Sequence, residues 1–426
     1  LTPLESKPLT RAGAAEPDWV AARRAEAAER YGSLSMPTPR EELWKYVDLG
    51  FAIDDFAAAE APGAPLPMGD DGPSLTEMAG RATVVDGFTT DAEADGPVTV
   101  ASLATAVVDH AAVLRPVLGT GTPLAIDKFA AAHHAFMRDG VLVHVPERTD
   151  AGAPVLVDVQ AVTEGTVSFP HLTVVLEPSS TVSLVVLYRS APGTSALAVP
   201  HLEAWVGDNA RLRLTVIQEW GYGTHAVAEA RVVVGRDGSA ALGEAGLGGR
   251  LSRLRLAVDL EGAGSSAQVL GAYFGEEQQV LDYRYTMHHA GTNTSSDMFL
   301  KGAVEDEALS VFTGMIRIDE TAQRTDAFQT NRNLILSDGA SAQSVPNLEI
   351  LANDVRCGHG STMGPLDDDQ RYYLMSRGLD RERADRLQVR GFFEQALQRF
   401  PEPAAVDPVR RSINRKYVAA QREGRV

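Results

Sequence analysis

The chain has 426 residues, 44% of them apolar, with 39 lysines and arginines against 57 acidic residues, for a formal charge of −18 at pH 7. That balance argues against a nucleic-acid partner, since neutralising phosphates takes a clustered basic face, and no run approaches the ~18 consecutive apolar residues of a membrane helix. The single cysteine, Cys357, excludes an internal disulfide, and the polar stretch from Leu1 to Arg30 lacks the apolar core of a signal peptide, so a cytoplasmic protein without a membrane partner is expected.

Residues 1–138 read as mainly helical, with pieces at Trp19–Tyr31, Glu41–Leu49, Ala101–Leu118 and Ile126–Arg138. Their Ala/Glu/Arg content favours helix, and the Pro/Gly/Asp-rich stretch Ala61–Ser74 reads as a loop connector. Residues 139–363 change character. Strand-like runs follow one another at Val141–Val145, Val155–Val159, Leu172–Leu176, Val182–Tyr188, Arg211–Gln218, Arg231–Val234 and Arg253–Leu260, with turn residues between several of them. The turns Glu177–Thr181, Gly207–Ala210 and Gly235–Ser239 end 29 residues apart, the turn Glu261–Ser266 ends 27 further on, and Ser337–Ala340 repeats the pattern later. A loose period near 29, with two or three short strands per repeat, predicts a solenoid whose coils stack into one core. A β-sandwich is the competing architecture.

Residues 364–426 predict a C-terminal helical domain. Asp380 is placed to cap a helix over Arg381–Arg399, with Leu387, Phe392, Phe393, Ala396 and Leu397 as its buried stripe. Pro401 and Pro403 stop it, and Pro408 opens a second helix over Val409–Arg422. From Asp367 onward 13 basic residues face 10 acidic ones, so this domain carries +3 while residues 1–366 carry −21.

Among motifs, Gly262–Ala267 matches a GxGxxG/A pattern, but a dinucleotide site needs a helix to start there. The continuation Gln268-Val-Leu-Gly-Ala-Tyr-Phe reads as a strand. None of the five lysines sits in a Gly-Lys-Ser/Thr context, so no P-loop is present. His133 and His134 diverge by about 100° on a helix, and His288 and His289 face opposite sides of a strand, so each reads as a packed or polar histidine. Cys357 and His359, two apart on a strand, face one side and together suit a soft metal or sulfur species. Glu349 and Asp354 are near enough in sequence to add hard ligands. Two residues do not close a tetrahedral site, so a site here wants ligands from another chain.

The segment Arg324–Ala340, continuing through Pro346–Ile350 and Asp354–Thr362, resembles the block shared by the SufB/SufD family of iron–sulfur cluster assembly proteins. Tyr373–Leu379, His288–Ser296, Lys301-Gly302, Val311–Gly314 and Pro37–Tyr46 fit the same family, so the likeness runs from about residue 37 to 400. The Cys357-Gly-His359-Gly form looks like its SufD side. The resemblance implies a right-handed parallel β-helix core with helical ends, and a SufB-like partner that pairs through the end of the β-helix. It also implies a SufC-like ATPase on the C-terminal helices, for which Arg377, Arg381, Arg386, Arg390, Phe392 and Phe393 are the expected contact residues. His359 would be an interfacial iron or cluster ligand, with Cys357 as a second candidate. Iron or a nascent cluster would pass through transiently, with no cofactor held tightly by this chain alone and no catalysis of its own. The rival readings are a purely structural subunit, a homodimer of the isolated chain without a metal ligand of its own, and, more remotely, a β-helix enzyme acting on polysaccharide.

Overall fold

From Gly140 to Gly364 strand follows strand, and each coil adds one member to each of two sheets. The computed structural model describes residues 4–10, 15–69, 72, 73 and 75–422; Asp70, Asp71 and Ser74 of the expected connector lie outside them. The pairings between coils are parallel, so the architecture is a β-solenoid of about eight turns and not a sandwich. In one sheet the register partners His171, His201 and Glu229 follow at 30 and 28 residues. In the other, Arg211, Ser239, Ser266 and Ser295 follow at 28, 27 and 29. The turn period in the sequence is therefore the coil length.

The turns explain why that period is legible. Ser179, Asn209, Asp237, Gly264, Asn293 and Arg324 occupy the same place in successive coils, all with φ between 55° and 74°. Each donates its backbone N–H to a carbonyl in the turn of the next coil, from Ser179 to Asp208 O through Arg324 to Asp354 O. Left-handed backbone is tolerated best by Gly, Asn and Asp, which is why those residues mark the turns.

Side chains alternate between the lumen and the outer faces. In Thr181–Ser190, Val182, Leu184, Val186 and Tyr188 point into the lumen core, while Val185 and Leu187 point outward under the C-terminal helices. Burial on both faces makes this strand a continuous apolar run. Arg211–Glu219 is covered less fully, and its Arg211 and Arg213 alternate with buried Leu212 and Leu214.

The N-terminal part holds helices where expected at Asp18–Ser33 and Lys128–Phe136, the second capped by Asp127 accepting from Ala130 N. It also holds strands that the helical reading lacked. Gly80–Val85 and Phe88–Ala94 form an antiparallel hairpin closed by Asp86-Gly87, both at positive φ, a Asp-Gly turn of the type hairpins favour. Ala101 belongs to the strand Thr99–Ser102, and the helix starts only at Leu103. The helix expected over Glu41–Leu49 is a single 3₁₀ turn, Glu42–Trp44. Tertiary contacts override propensity there, because Arg253 and Arg284 on the sheet bond the carbonyls of Leu43, Glu42 and Lys45.

At the other end of the chain, Asp380 caps Arg381–Leu397 by accepting from Arg383 N at 2.8 Å. The buried stripe is Ala384, Val389, Phe393, Ala396 and Leu397; Leu387, expected within it, is exposed. The last helix is Val406–Arg422, with Pro408 in its first turn. These helices lie along the outer face of the ten-stranded sheet, where Phe393, Phe400 and Tyr417 meet Ile217, Leu270 and Phe274.

Candidate functional site

The last coil consists of strands Ser341–Ile350 and Arg356–Gly364, each the end member of its sheet. Each pairs with one neighbouring strand, Leu309–Ile318 or Asp326–Ile335. A strand in that position presents unpaired N–H and C=O groups, a template for a strand of another chain. Leu351 and Met363 stand beside this edge about half exposed.

Cys357 and His359 sit on the lumen side of the last strand, in register with Ala327 and Gln329. Cys357 is half-buried against the lumen core, whereas His359, two residues on, is exposed. Burial pushes the Cys357 thiol up, the Gly358 N–H pulling the other way, so the sulfur keeps its proton near neutrality.

Beneath this pair the lumen is polar. Gln329, 1% exposed, donates from Nε2 to Asn347 O at 3.2 Å. Ser361 and Ser344 join the two sheets through their hydroxyls at 2.8 Å. One coil deeper, Tyr273 Oη donates to Asn333 Oδ1 at 2.6 Å, Asn333 Nδ2 to Asn331 Oδ1 at 2.7 Å, and Asn331 Nδ2 to Tyr273 Oη at 3.0 Å. Gly302 makes this closed ring of bonds possible, since a Cβ there would stand 1.9 Å from the Tyr273 ring. The closed ring of Tyr273, Asn331 and Asn333 forms a stiff floor under the open coil, while Gln329 Oε1 is buried without a partner.

Glu349 and Asp354 do not complete a ligand set with Cys357 and His359. Each is engaged by an arginine, Glu349 by Arg317 at 3.6 Å and Asp354 by Arg324 at 3.9 Å. Among the described residues, the group of three metal-ligating side chains brought together lies elsewhere, in the first coils. His288 and His289 do face opposite ways. His288 is held between Asp259 at 3.0 Å and Asp319 at 2.9 Å, and His289 is buried against Thr294 and Ser296. Gly262–Ala267 is a turn that runs into the start of a strand, Ser266–Gly275, after the strand Leu251–Leu260, and no helix begins there.

On the C-terminal helices, Arg377, Arg381 and Arg390 are exposed, and Arg386 is half-exposed with Glu382 at 2.6 Å. Phe392 lies half-buried with Lys301 Nζ 4.1 Å from its ring centroid. Phe393, 1% exposed, anchors the helix to the sheet and leaves no side chain free for a partner. Tyr372 and Tyr373 on the helix Asp368–Ser376, neither of them among the expected contact residues, are 77% and 57% exposed. Two adjacent tyrosines beside basic residues were the available signal.

Comparison with known proteins agrees with this layout. Residues 159–392 match the family model described as SUF system FeS cluster assembly, SufBD core domain. An iron–sulfur cluster assembly SufBD family protein of Mycobacterium tuberculosis is 36% identical over 296 residues, covering 68% of this chain and 73% of that protein. A SufBD family protein of Synechocystis is 26% identical over 89% of this chain and 87% of its own length. The iron–sulfur cluster assembly protein SufD of Bacillus subtilis is 26% identical over 91% of both chains.

Proposed function

This chain belongs to the SufBD family of iron–sulfur cluster assembly proteins, and on that premise we propose that it is the SufD-type subunit of a cytoplasmic assembly scaffold. Its last coil pairs with a SufB-like subunit, and its C-terminal domain, 364–426, carries a SufC-like ATPase that hydrolyses ATP on the scaffold's behalf. The observation that carries this reading is the open coil, where an exposed imidazole, His359, sits on the lumen side of one of the two end strands. Strand addition at such an edge gives affinity through main-chain hydrogen bonds. It would also bring a second chain's side chains over His359, supplying the ligands this chain lacks.

In this reading iron is cargo. The imidazole of His359 offers one nitrogen ligand, the partner supplies thiolate or further ligands, and the floor of Tyr273, Asn331 and Asn333 keeps the coil from collapsing when the cargo leaves. Cys357 packs beside the site, half-buried against the lumen core, as the second candidate ligand. The chain acts by holding and positioning.

The test is anaerobic co-purification with SufB-like and SufC-like partners, comparing the native chain with His359→Ala. We expect an intact complex in which bound iron and sulfide fall at least severalfold. Unchanged iron in an intact complex would mean that the chain is scaffold alone and the partner holds the cargo. Loss of the complex itself would move His359 from cargo binding to the pairing surface.

A further inference from the structure

The first coils hold a group of imidazoles that the scaffold reading does not use. His133 comes from the helix Lys128–Phe136, while His171 and His201 open consecutive strands and are register partners. They are 0%, 2% and 1% exposed, and one ligand nitrogen from each lies within 4.8 Å of the other two.

Hydrogen bonds already aim two of the rings. His133 Nδ1 donates to Val199 O at 2.7 Å, which leaves Nε2 as its lone-pair nitrogen, 2.9 Å from His171 Nδ1. Behind His171, Nε2 faces Thr173 Oγ1 at 3.1 Å and the Glu203 carboxylate at 3.6 Å. A carbonyl behind one imidazole and a carboxylate behind another is the outer-shell arrangement that fixes the tautomer of ligating histidines. Glu203 is fully buried and held by the N–H groups of Gly119 at 2.8 Å and Gly121 at 2.9 Å, so its negative charge is fixed beside the cluster.

His201 is the member without an explanation. Neither of its ring nitrogens has a hydrogen-bond partner, an unfavourable state for a buried polar group. Its ring stacks on His133 at 3.6 Å and 2°, an arrangement in which the two rings cannot both aim at one point. Turning His201 toward a common centre breaks no hydrogen bond, because the ring makes none.

We infer that His133, His171 and His201 form a buried site for Zn²⁺ that fastens the N-terminal helix Lys128–Phe136 to the first coils of the solenoid. Three imidazoles suit a divalent first-row ion, and zinc is bound by such histidine nitrogens. Zinc–nitrogen bonds of about 2.0–2.1 Å require the ring nitrogens to draw together, and the free turn of His201 supplies that movement. Glu203 stays behind His171 as the outer-shell carboxylate, so the chain supplies three ligands and the fourth position is left to a water molecule. This site is at the opposite end of the solenoid from His359 and serves the fold, not the cargo.

The test uses the full chain, stripped with a chelator and titrated with Zn²⁺ and with Co²⁺ as a spectroscopic probe. We expect one ion per chain, a tetrahedral Co²⁺ absorption spectrum, imidazole nitrogens at about 2.0 Å in X-ray absorption of the zinc form, and a higher Tm with zinc. The double variant Cys357→Ser/His359→Ala should keep the ion, and His201→Gln should lose affinity by about a hundredfold or more, beyond the usual effect of an outer-shell change. Failure of the native chain to take up either ion overturns the proposal, whatever the variants do. Uptake that survives His201→Gln but vanishes in the double variant overturns it equally, placing the ion at the last coil.

Discussion

Glu244 is a carboxyl placed in the lumen, bordering a cavity of about 50 Å³ with Gln218, Trp220 and Tyr285. Burial pushes it up to about 8. A carboxyl raised above its unfolded value favours the folded state least where only the unfolded chain would ionise. Stability contributed by its protonated form is therefore full below about 4.5 and is lost as pH rises toward about 8. Glu244→Gln keeps the shape without the charge. We expect it to raise stability by about 2–4 kcal/mol at pH 8 and to change little at pH 4.5, read as Tm of the two chains at both values. A variant that gained nothing at pH 8 would show that Glu244 is ionised and compensated in the lumen. Nothing in the sequence marked Glu244, which lies between the strand-like runs Arg231–Val234 and Arg253–Leu260. Its role depends on which residues the next coil places opposite. Cys357 and His359 were legible for the opposite reason, because their relation is local, two residues along one strand. The histidine cluster shows both limits at once. The adjacent pair His133-His134 was visible, but the partners of His133 lie 38 and 68 residues away and no local spacing announces them.

Among elements, the segment Glu42–Trp44 shows how the N-terminal part is fastened to the solenoid. Arg253 and Asp282 are register partners in consecutive strands, both almost fully buried, and Arg284 reaches the same carboxylate at 2.7 Å. The guanidinium of Arg253 also lies 3.9 Å over the ring of buried Trp44. One carboxylate thus balances two arginines that hold the 3₁₀ turn by its carbonyls. Asp282→Ala would leave both cations buried without their partner, so we expect a loss of about 3–5 kcal/mol, measured by denaturant unfolding. A loss below 1 kcal/mol would mean that water or Glu229 takes over. Propensity favoured helix here, and long-range hydrogen bonds outweighed it. The C-terminal helix was read to within two residues because its signals are local: Asp380 at the N-cap and Pro401 beyond the end. Leu387 misled the stripe because apolar character alone does not say which face meets the sheet.

For the whole molecule, the two proposed docking surfaces are separate in place and in kind. The open coil offers strand edges and an apolar rim, while the helix Asp368–Ser376 offers aromatic rings beside arginines. Exposed tyrosines of this sort tend to dominate binding energy at interfaces. We expect Tyr372→Ala/Tyr373→Ala to leave Tm within about a degree, since neither ring is part of a core, and to weaken capture of the SufC-like ATPase by about tenfold or more. Retained ATPase binding would move that surface to the last helix, Val406–Arg422.

The register of the coils has one more implication. Shifting a strand by a single residue would turn its lumen face outward, so small insertions within a strand are forbidden. Adding or removing an entire coil of about 29 residues leaves the alternation of faces and the turn hydrogen bonds unchanged. The distance from the N-terminal cap to the open end is thus quantised in steps of about 4.8 Å, the spacing of neighbouring strands, and the chain works as a gauge whose length is counted in whole coils.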